Sequence, residues 1–308
     1  MFSSLKDVDV LVTGGNGFIG SHLVRRLASI GARVHVISLN NGNIKGIDGV
    51  KFHHTDITDY ESVKKSVTEV KPSKIFHLAA EVNLSHELKD AGRIADVKIR
   101  GTMNLIRALD GIDYDCFVNT GTCEEYGLNK SPFREDMMPI PITPYSASSA
   151  AATLMCKMFH DTNGLPILTL RQFTCYGPGQ KSGMLIPYVI TSALAGKEIR
   201  MTPGEQKRDF NFVEDAVESF LLASVKKSAI GEIINVGTGK SRKVKDVVET
   251  ILGMMGNPVK PSFDMPYRKP EIWDLVSDSS KAEKILGWKP KTPFESGLKR
   301  TIDWYASS

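Results

Sequence analysis

Cysteine is scarce, with only Cys116, Cys123, Cys156 and Cys175 in 308 residues. They form no C-x-x-C pair and no zinc-ligand spacing, which excludes a disulfide scaffold and a structural zinc site. An excess of one charge is also missing. Lys and Arg number 39 and Asp and Glu 35, a formal net charge of +4. So slight an excess excludes nucleic acid as a main partner. The longest uncharged run, residues 137–156, contains Pro139, Pro141 and Pro144 and is rich in Ser and Thr. A membrane span needs about 20 mostly apolar residues, so this run does not read as one. The opening MFSSLKDVDVLVTGG has neither a basic n-region nor a long apolar h-region and does not read as a signal peptide. There is no internal repeat and no low-complexity segment. The expectation is a soluble cytoplasmic protein with reduced, mostly buried thiols, no membrane contact and no bound metal. His53 and His54 adjoin on a strand and point to opposite faces, so they build no facial metal site.

What is present is ordinary globular composition, 41% hydrophobic and 24% charged. The length suits one large domain or two intimate ones. Strand patterns at 8–13, 33–38, 50–55, 74–79 and 115–120 alternate with helical patterns at 18–30, 59–69 and 94–109. Gly31 closes the first helix. A helix over 144–163 and a strand over 166–171 continue the series. Such alternation predicts an α/β fold, a Rossmann-type doubly wound parallel sheet with ligand at the carboxyl ends of its strands. After about Gln172 the pattern loosens, and residues 175–183 and 265–273 are loop-like. We therefore expect a dinucleotide-binding domain over 1–171, rejoined by 210–240, and a smaller carboxyl-terminal substrate-binding lobe mainly over 172–308.

Gly14, Gly17 and Gly20 sit in TGGNGFIG (13–20), between the first strand and the first helix. Glycines there allow a tight turn and close backbone approach to a pyrophosphate, which the helix N-terminus attracts. An ordinary glycine-rich turn is the plainer alternative, but the strand–turn–helix context favours dinucleotide binding. An acidic residue that selects NAD belongs about 20 residues on. Ser38 holds that place, followed by Leu39, Asn40 and Asn41, so NAD is expected without NADP being excluded. Arg33, at the other end of that strand, is a doubtful partner for a 2′-phosphate. Asp56, after the third strand, suits either an adenine amino group or a helix N-cap.

The chain resembles the extended short-chain dehydrogenase/reductase family, the nucleotide-sugar epimerases and dehydratases. The resemblance runs nearly the whole length. It rests on TGGNGFIG (13–20), HLAA (77–80), RGTMNL (100–105), TGTCEEYG (120–127), TPYSASSAAAT (143–153), LRQFTCYGPGQ (170–180), KRDFNFVEDAVESFL (207–221), INVGTG (234–239) and LGWKPKTPFESGLKRTIDWY (286–305). It implies cofactor contacts from Gly14, Gly17, Phe18, Ile19, Gly20, Ser38, Asp56, Ile57, Leu78, Ala79, Ala80 and Tyr145. It also implies a homodimer built through the helices near 94–109 and 145–161, and a nucleoside-diphosphate sugar as substrate.

The same resemblance implies oxidation at C4 of a hexose, with Tyr145 as the phenolate base and Thr122 as the hydroxyl beside it. Such a base must be ionised near neutral pH and reach the alcohol. The family motif is Y-x-x-x-K, in which the lysine lies one helical turn from the tyrosine and lowers its pKa. Here position 149 is a serine. A unit charge about 5 Å away at an effective dielectric of ~20 is worth roughly 3 kcal/mol, or about two pKa units. Slow turnover follows from Ser149, whether the change is introduced or natural. Lys157 lies more than three turns away. Lys98, where relatives commonly carry asparagine, is a remote candidate for the missing charge.

Cys123 and Glu124 follow Thr122, where 4,6-dehydratases commonly carry Asp-Glu. Glu124 therefore favours elimination across C5–C6 after C4 oxidation. The length fits the 4-epimerases better, and a 4-ketoreductase is a third option. Glu124 and Glu125 as solvated loop charges is the plainer alternative, stronger for Glu125. Cys123 is the one cysteine whose place suggests reactivity, which would need a lowered pKa. The resemblance implies that Arg208 and Arg268 hold the diphosphate, with Glu271 nearby, since arginine forks suit phosphate oxygens. Thr174 stands where relatives usually have asparagine. His77 reads as a packed strand-end residue. A non-catalytic dinucleotide-binding protein that kept the fold is the competing class.

Overall fold

The structure is a computed structural model that describes residues 2–85 and 87–307. The first half lays down β1 (Asp9–Thr13), α1 (Phe18–Ile30), β2 (Arg33–Ser38), β3 (Val50–His54), α2 (Tyr60–Val70) and β4 (Lys74–His77). There follow α3 (Leu88–Ala95), a π-helical turn (Asp96–Arg100), α4 (Gly101–Ala108), β5 (Cys116–Thr122), α5 (Pro144–Asn163) and β6 (Ile167–Gln172). The second half adds β7 (Thr174–Tyr176), α6 (Leu185–Leu194), β8 (Lys207–Phe212), α7 (Val213–Val225), β9 (Ile233–Val236) and β10 (Ser241–Lys243). It ends with α8 (Val244–Met254), β11 (Asp274–Leu275), α9 (Ser280–Leu286) and α10 (Phe294–Ala306).

Seven parallel strands form the main sheet in the order β3-β2-β1-β4-β5-β6-β9. Chain direction across the sheet reverses between β1 and β4, which opens a crevice at their carboxyl ends. Both faces are covered, so β1, β4 and β6 are almost wholly buried. On one side Leu23, Leu27, Phe220, Leu286 and Trp288 pack against Val10, Val12, Phe76 and Leu168. On the other, Val63, Val67, Leu105, Ile106 and Cys156 pack against Leu11, Ile75 and Phe117. At about 25 cal/mol per Å² of apolar surface, this double burial is the main stabilising term.

A second sheet is centred on β8, which pairs with β7, β10 and β11. Its own core joins α6, α8 and α10 through Val189, Ile190, Phe210, Val248, Ile251 and Leu298. The return to the first core begins with α7 rather than at residue 210, because Phe210–Phe212 pair with β7 in the second sheet. Ala282, Leu286 and Trp288 also rejoin the first core. The single helix expected over 94–109 is a longer helical run, 88–108, interrupted by the π turn. A one-residue insertion in a helix shifts the apolar period only locally, so a 3.6-residue pattern does not reveal it.

Candidate active site

The glycine turn is shaped by close packing. Gly14 has φ +68°, and a Cβ there would lie 2.7 Å from the Ala79 amide nitrogen and 2.8 Å from the Leu78 carbonyl carbon. A Cβ at Gly20 would run into the Gly14 carbonyl oxygen. Glycine at both places lets α1 begin hard against β1 and β4. Gly17 is the N-cap of α1 and offers no side-chain cap to the first-turn amides. An open helix N-terminus at a switch crevice suits a pyrophosphate. The first turn of α1 (Phe18, Ile19), the end of β2 (Ser38), the loop after β3 (Asp56, Ile57) and the loop after β4 (Leu78, Ala79, Ala80) all lie at carboxyl ends of adjacent strands. These residues fit a dinucleotide.

Asp56 is not the N-cap of α2. Asp59 is, accepting from the Glu61 amide. Asp56 Oδ1 accepts from the Thr58 amide and hydroxyl, and Oδ2 faces Arg93 at 4.0 Å. Arg33 is turned away from the crevice, paired with Asp9 at the start of the sheet at 2.6 Å. Where an acidic ribose selector would stand, the chain instead clusters Asn16, Asn40 and Asn43 through mutual hydrogen bonds. The sequence showed those asparagines, but nothing in their spacing announced the cluster.

Thr122 ends β5 and caps the turn that follows. Its hydroxyl accepts from the Glu124 amide at 3.3 Å, and its own amide donates to Glu125 Oε1 at 2.9 Å. Tyr145 lies in the first turn of α5, which Thr143 caps with Ser146. Burial raises the Tyr145 phenol well above its ordinary value, and the Thr122 hydroxyl, close enough to hydrogen-bond, pulls the other way. The thiol and carboxyls of Cys123, Glu124 and Glu125 raise it further. Ser149, one turn on, is buried, and its Oγ has no hydrogen-bond partner among the described residues.

Glu124 faces the cleft, and its carboxyl is raised by burial, lowered by Arg208 and Arg268, and raised by Glu271. The structure thus gathers Glu124, Arg208, Arg268 and Glu271 in one place. Arg208 is held at 2.8 Å by Glu271 Oε1 and also donates to the Ile272 carbonyl. Arg268 reaches across to the Leu84 carbonyl at 3.3 Å. Thr174 lies on β7, paired with Phe210.

Two expectations need correction. Cys123 is packed among Tyr126, Phe133, Phe173, Ile272 and Leu275, and burial pushes its thiol well above the ordinary value. It stays a neutral thiol and does not serve as the acid that an aspartate would provide. Glu125 is no solvated loop charge. It is fully buried, accepts from Arg171 Nε at 2.8 Å and from the Thr153 hydroxyl at 3.0 Å, and so fixes the Thr122 turn. An arginine inside the apolar strand ILTLRQ was the available signal for that pair. His77 is a packed residue as read, with its ring nitrogens 2.7 and 2.8 Å from the Thr13 and Thr102 hydroxyls.

Among the described residues no cluster of His, Cys, Asp or Glu is arranged to hold a metal ion, and no helix is long and apolar enough to cross a membrane.

Fold and site together define a Rossmann-type dinucleotide enzyme with a tyrosine–threonine pair facing a cationic second lobe. Residues 11–301 match the family model described as GDP-mannose 4,6 dehydratase. The UDP-glucuronate 4-epimerase of Thermodesulfobacterium geofontis is 31% identical over 309 residues, covering 96% of this chain and 95% of the relative. The dTDP-glucose 4,6-dehydratase of Xanthomonas campestris is 31% identical over 328 residues, covering 97% of this chain and 93% of the relative. The crystal structure of the Thermus thermophilus UDP-glucose 4-epimerase complex with NAD superposes with a TM-score of 0.89 at 28% identity, covering 97% of this chain and 99% of that one. The chain belongs to the GDP-mannose 4,6-dehydratase family, the NAD-dependent nucleotide-sugar epimerases and dehydratases of the extended short-chain dehydrogenase/reductase group.

Proposed function

We propose that this enzyme oxidises C4 of a hexose carried on a nucleoside diphosphate and then eliminates water across C5–C6, with Glu124 as the proton-transfer group. The observation that carries this reading is the half-buried carboxyl of Glu124 beside Arg208, Arg268 and Glu271, two residues beyond Thr122. NAD, when bound along residues 14–20 and the loops after β2, β3 and β4, supplies the hydride acceptor and later the hydride donor. Tyr145 takes the C4 hydroxyl proton while Thr122 holds the same hydroxyl. Once C4 is a ketone the C5 proton is acidic, and Glu124 takes it. The same carboxyl then delivers that proton to the C6 hydroxyl, which leaves as water, and return of the hydride to C6 with a proton at C5 would complete the 4-keto-6-deoxy sugar. Arg268, with Arg208 behind it, neutralises the diphosphate.

Simple 4-epimerisation is the second reading, and the packed neutral thiol of Cys123 favours it, because a dehydratase pair would need a working acid there. Incubation with a panel of nucleotide sugars separates the two. A 4-keto-6-deoxy product supports elimination, and a C4 epimer with retained C6 oxygen supports the second reading. No product from any sugar nucleotide, with NAD bound, would overturn both.

The division of labour we propose is a dinucleotide portion over 1–171 with α7, β9 and the 280–288 segment, and a substrate portion over most of the rest. Leu154 and Met158 lie four residues apart on α5, 56% and 43% exposed, and support the reading of α5 as a homodimer face. Four free thiols suit a reducing compartment such as the cytoplasm.

A further inference from the structure

Lys98 sits at the centre of the π-helical turn and is 2% exposed. Its Nζ donates to the Thr120 carbonyl at 2.6 Å. Among the described residues it forms no ion pair with a carboxylate, although burying a lone ammonium is costly. The groups around it are accounted for. Burial pushes the Cys156 thiol up to about 12 and the His77 ring well below its ordinary value, so both are neutral at pH 7. Glu125 faces it from the turn after β5 but is held by Arg171, Thr153 and the Thr122 amide. On its own turn, Asp96 pairs with Arg100 at 2.8 Å. On α3, Asp90 is engaged by Asn83, and Arg93 by Glu81. Lys98 and Arg171 therefore share one buried carboxylate; burial lowers the Lys98 ammonium from its ordinary value, and Glu125 pulls the other way.

The backbone of Lys98 is also tied to the cofactor crevice. Thr102 donates its hydroxyl back to the Lys98 carbonyl, so it accepts from His77 Nε2. His77 Nδ1 then accepts from the Thr13 hydroxyl, which in turn accepts from the Ala79 amide. π turns recur at functional sites. On the site's side lie two buried hydroxyl oxygens without a hydrogen-bond partner among the described residues, Thr120 Oγ1 and Ser149 Oγ. Thr120 shares a strand face with Thr122, and Ser149 shares a helix face with Tyr145.

We propose that Lys98 supplies, from the π turn between α3 and α4, the positive charge that a lysine at position 149 would supply from α5, with the Thr120 and Ser149 hydroxyls as the polar link to the Tyr145 phenol. Lys98 acts through Tyr145 and is a positioning residue. The proposal rests on the reading of Tyr145 as the base. It replaces the slow turnover implied by Ser149 with a site whose charge enters from a different helix.

The test is an ultraviolet difference titration of the Tyr145 phenol, with Tyr145→Phe as the reference that isolates its signal, run with and without NAD. Lys98→Gln keeps a donor for the Thr120 carbonyl and removes the charge. The expected result is a phenol that ionises about one pH unit or more higher. The acid limb of kcat should move in parallel, with KM unchanged. The double variant Lys98→Gln/Ser149→Lys is expected to restore both. Titration curves for Lys98→Gln that superimpose on the parent, or a double variant that restores nothing while its melting curve stays cooperative, would overturn the proposal. If Lys98→Gln shifts the phenol but no sugar nucleotide is turned over by the parent, the functional reading fails and the role of Lys98 stands. If the parent turns over and its pH profile is that of Lys98→Gln, the reverse holds.

Discussion

Arg171 donates from Nε to Glu125 Oε2 at 2.8 Å, and the two side chains are 2% and 0% exposed. The guanidinium also lies over the Tyr126 ring, 4.6 Å from its centroid. Glu125 in turn holds the Thr122 amide, so a buried ion pair sets the position of a hydroxyl in the candidate site. Glu125→Ala would leave Arg171 and Lys98 buried without their shared carboxylate. A loss of about 3–5 kcal/mol is expected from removing one partner of a buried pair. Urea unfolding measures it, and a loss below about 1 kcal/mol would show that the pair is dispensable.

Tyr145→Phe removes the proposed proton acceptor and leaves the packing of α5 unchanged. A fall in kcat of about 10²-fold or more is expected, the usual range for a lost general base. NAD affinity by calorimetry should change little. Near-parent turnover in this variant would place the base elsewhere.

Gly20→Ala puts a methyl group against the Gly14 carbonyl, where only backbone is available to yield. Gly14→Ala adds backbone strain at φ +68° to a 2.7 Å clash with Ala79. Both variants are expected to lose NAD affinity, Gly14→Ala with a lower melting temperature as well. Gly183→Ala, with open space around its Cβ, serves as the control that should do neither.

Glu124 carries a carboxyl raised by burial. Its folded-state value lies above the unfolded one, so its stabilising contribution is fully present below the ordinary carboxylate value and is lost as pH rises through the raised value. Glu124→Gln has no such loss. The difference in urea midpoint between variant and parent should therefore grow in favour of the variant as pH rises through that window, and then level off. A difference that is flat in pH would mean that the carboxyl is solvated. In activity assays the same variant should lose the dehydrated product while the sugar nucleotide still reduces bound NAD.

Much of the site was legible because its parts are local in the chain. The glycines of 13–20 fall between a strand and a helix, and α1, β2 and α5 occupy the residues that periodicity assigned to them. Thr122 and Tyr145 stood out from their motifs. Other parts were not legible, because burial depends on residues far away in sequence. Glu125 and Glu124 are neighbours of identical type, yet one faces Arg171 inside the protein and the other faces Arg208 and Arg268 across the cleft. Cys123 occupies a position suited to chemistry, but Tyr126, Phe133 and Phe173 enclose it.

What the amino-acid order decided alone is the class of fold, the glycine turn after β1 and which side chains are candidates for the chemistry, since these follow from spacing and from backbone freedom at a few glycines. What only the folded chain decided is electrostatic. The π turn sinks Lys98 beside β5, and Arg171 claims the Glu125 carboxylate that faces it. A charge acts through distance and dielectric, and both are properties of packing between segments that the linear sequence keeps apart.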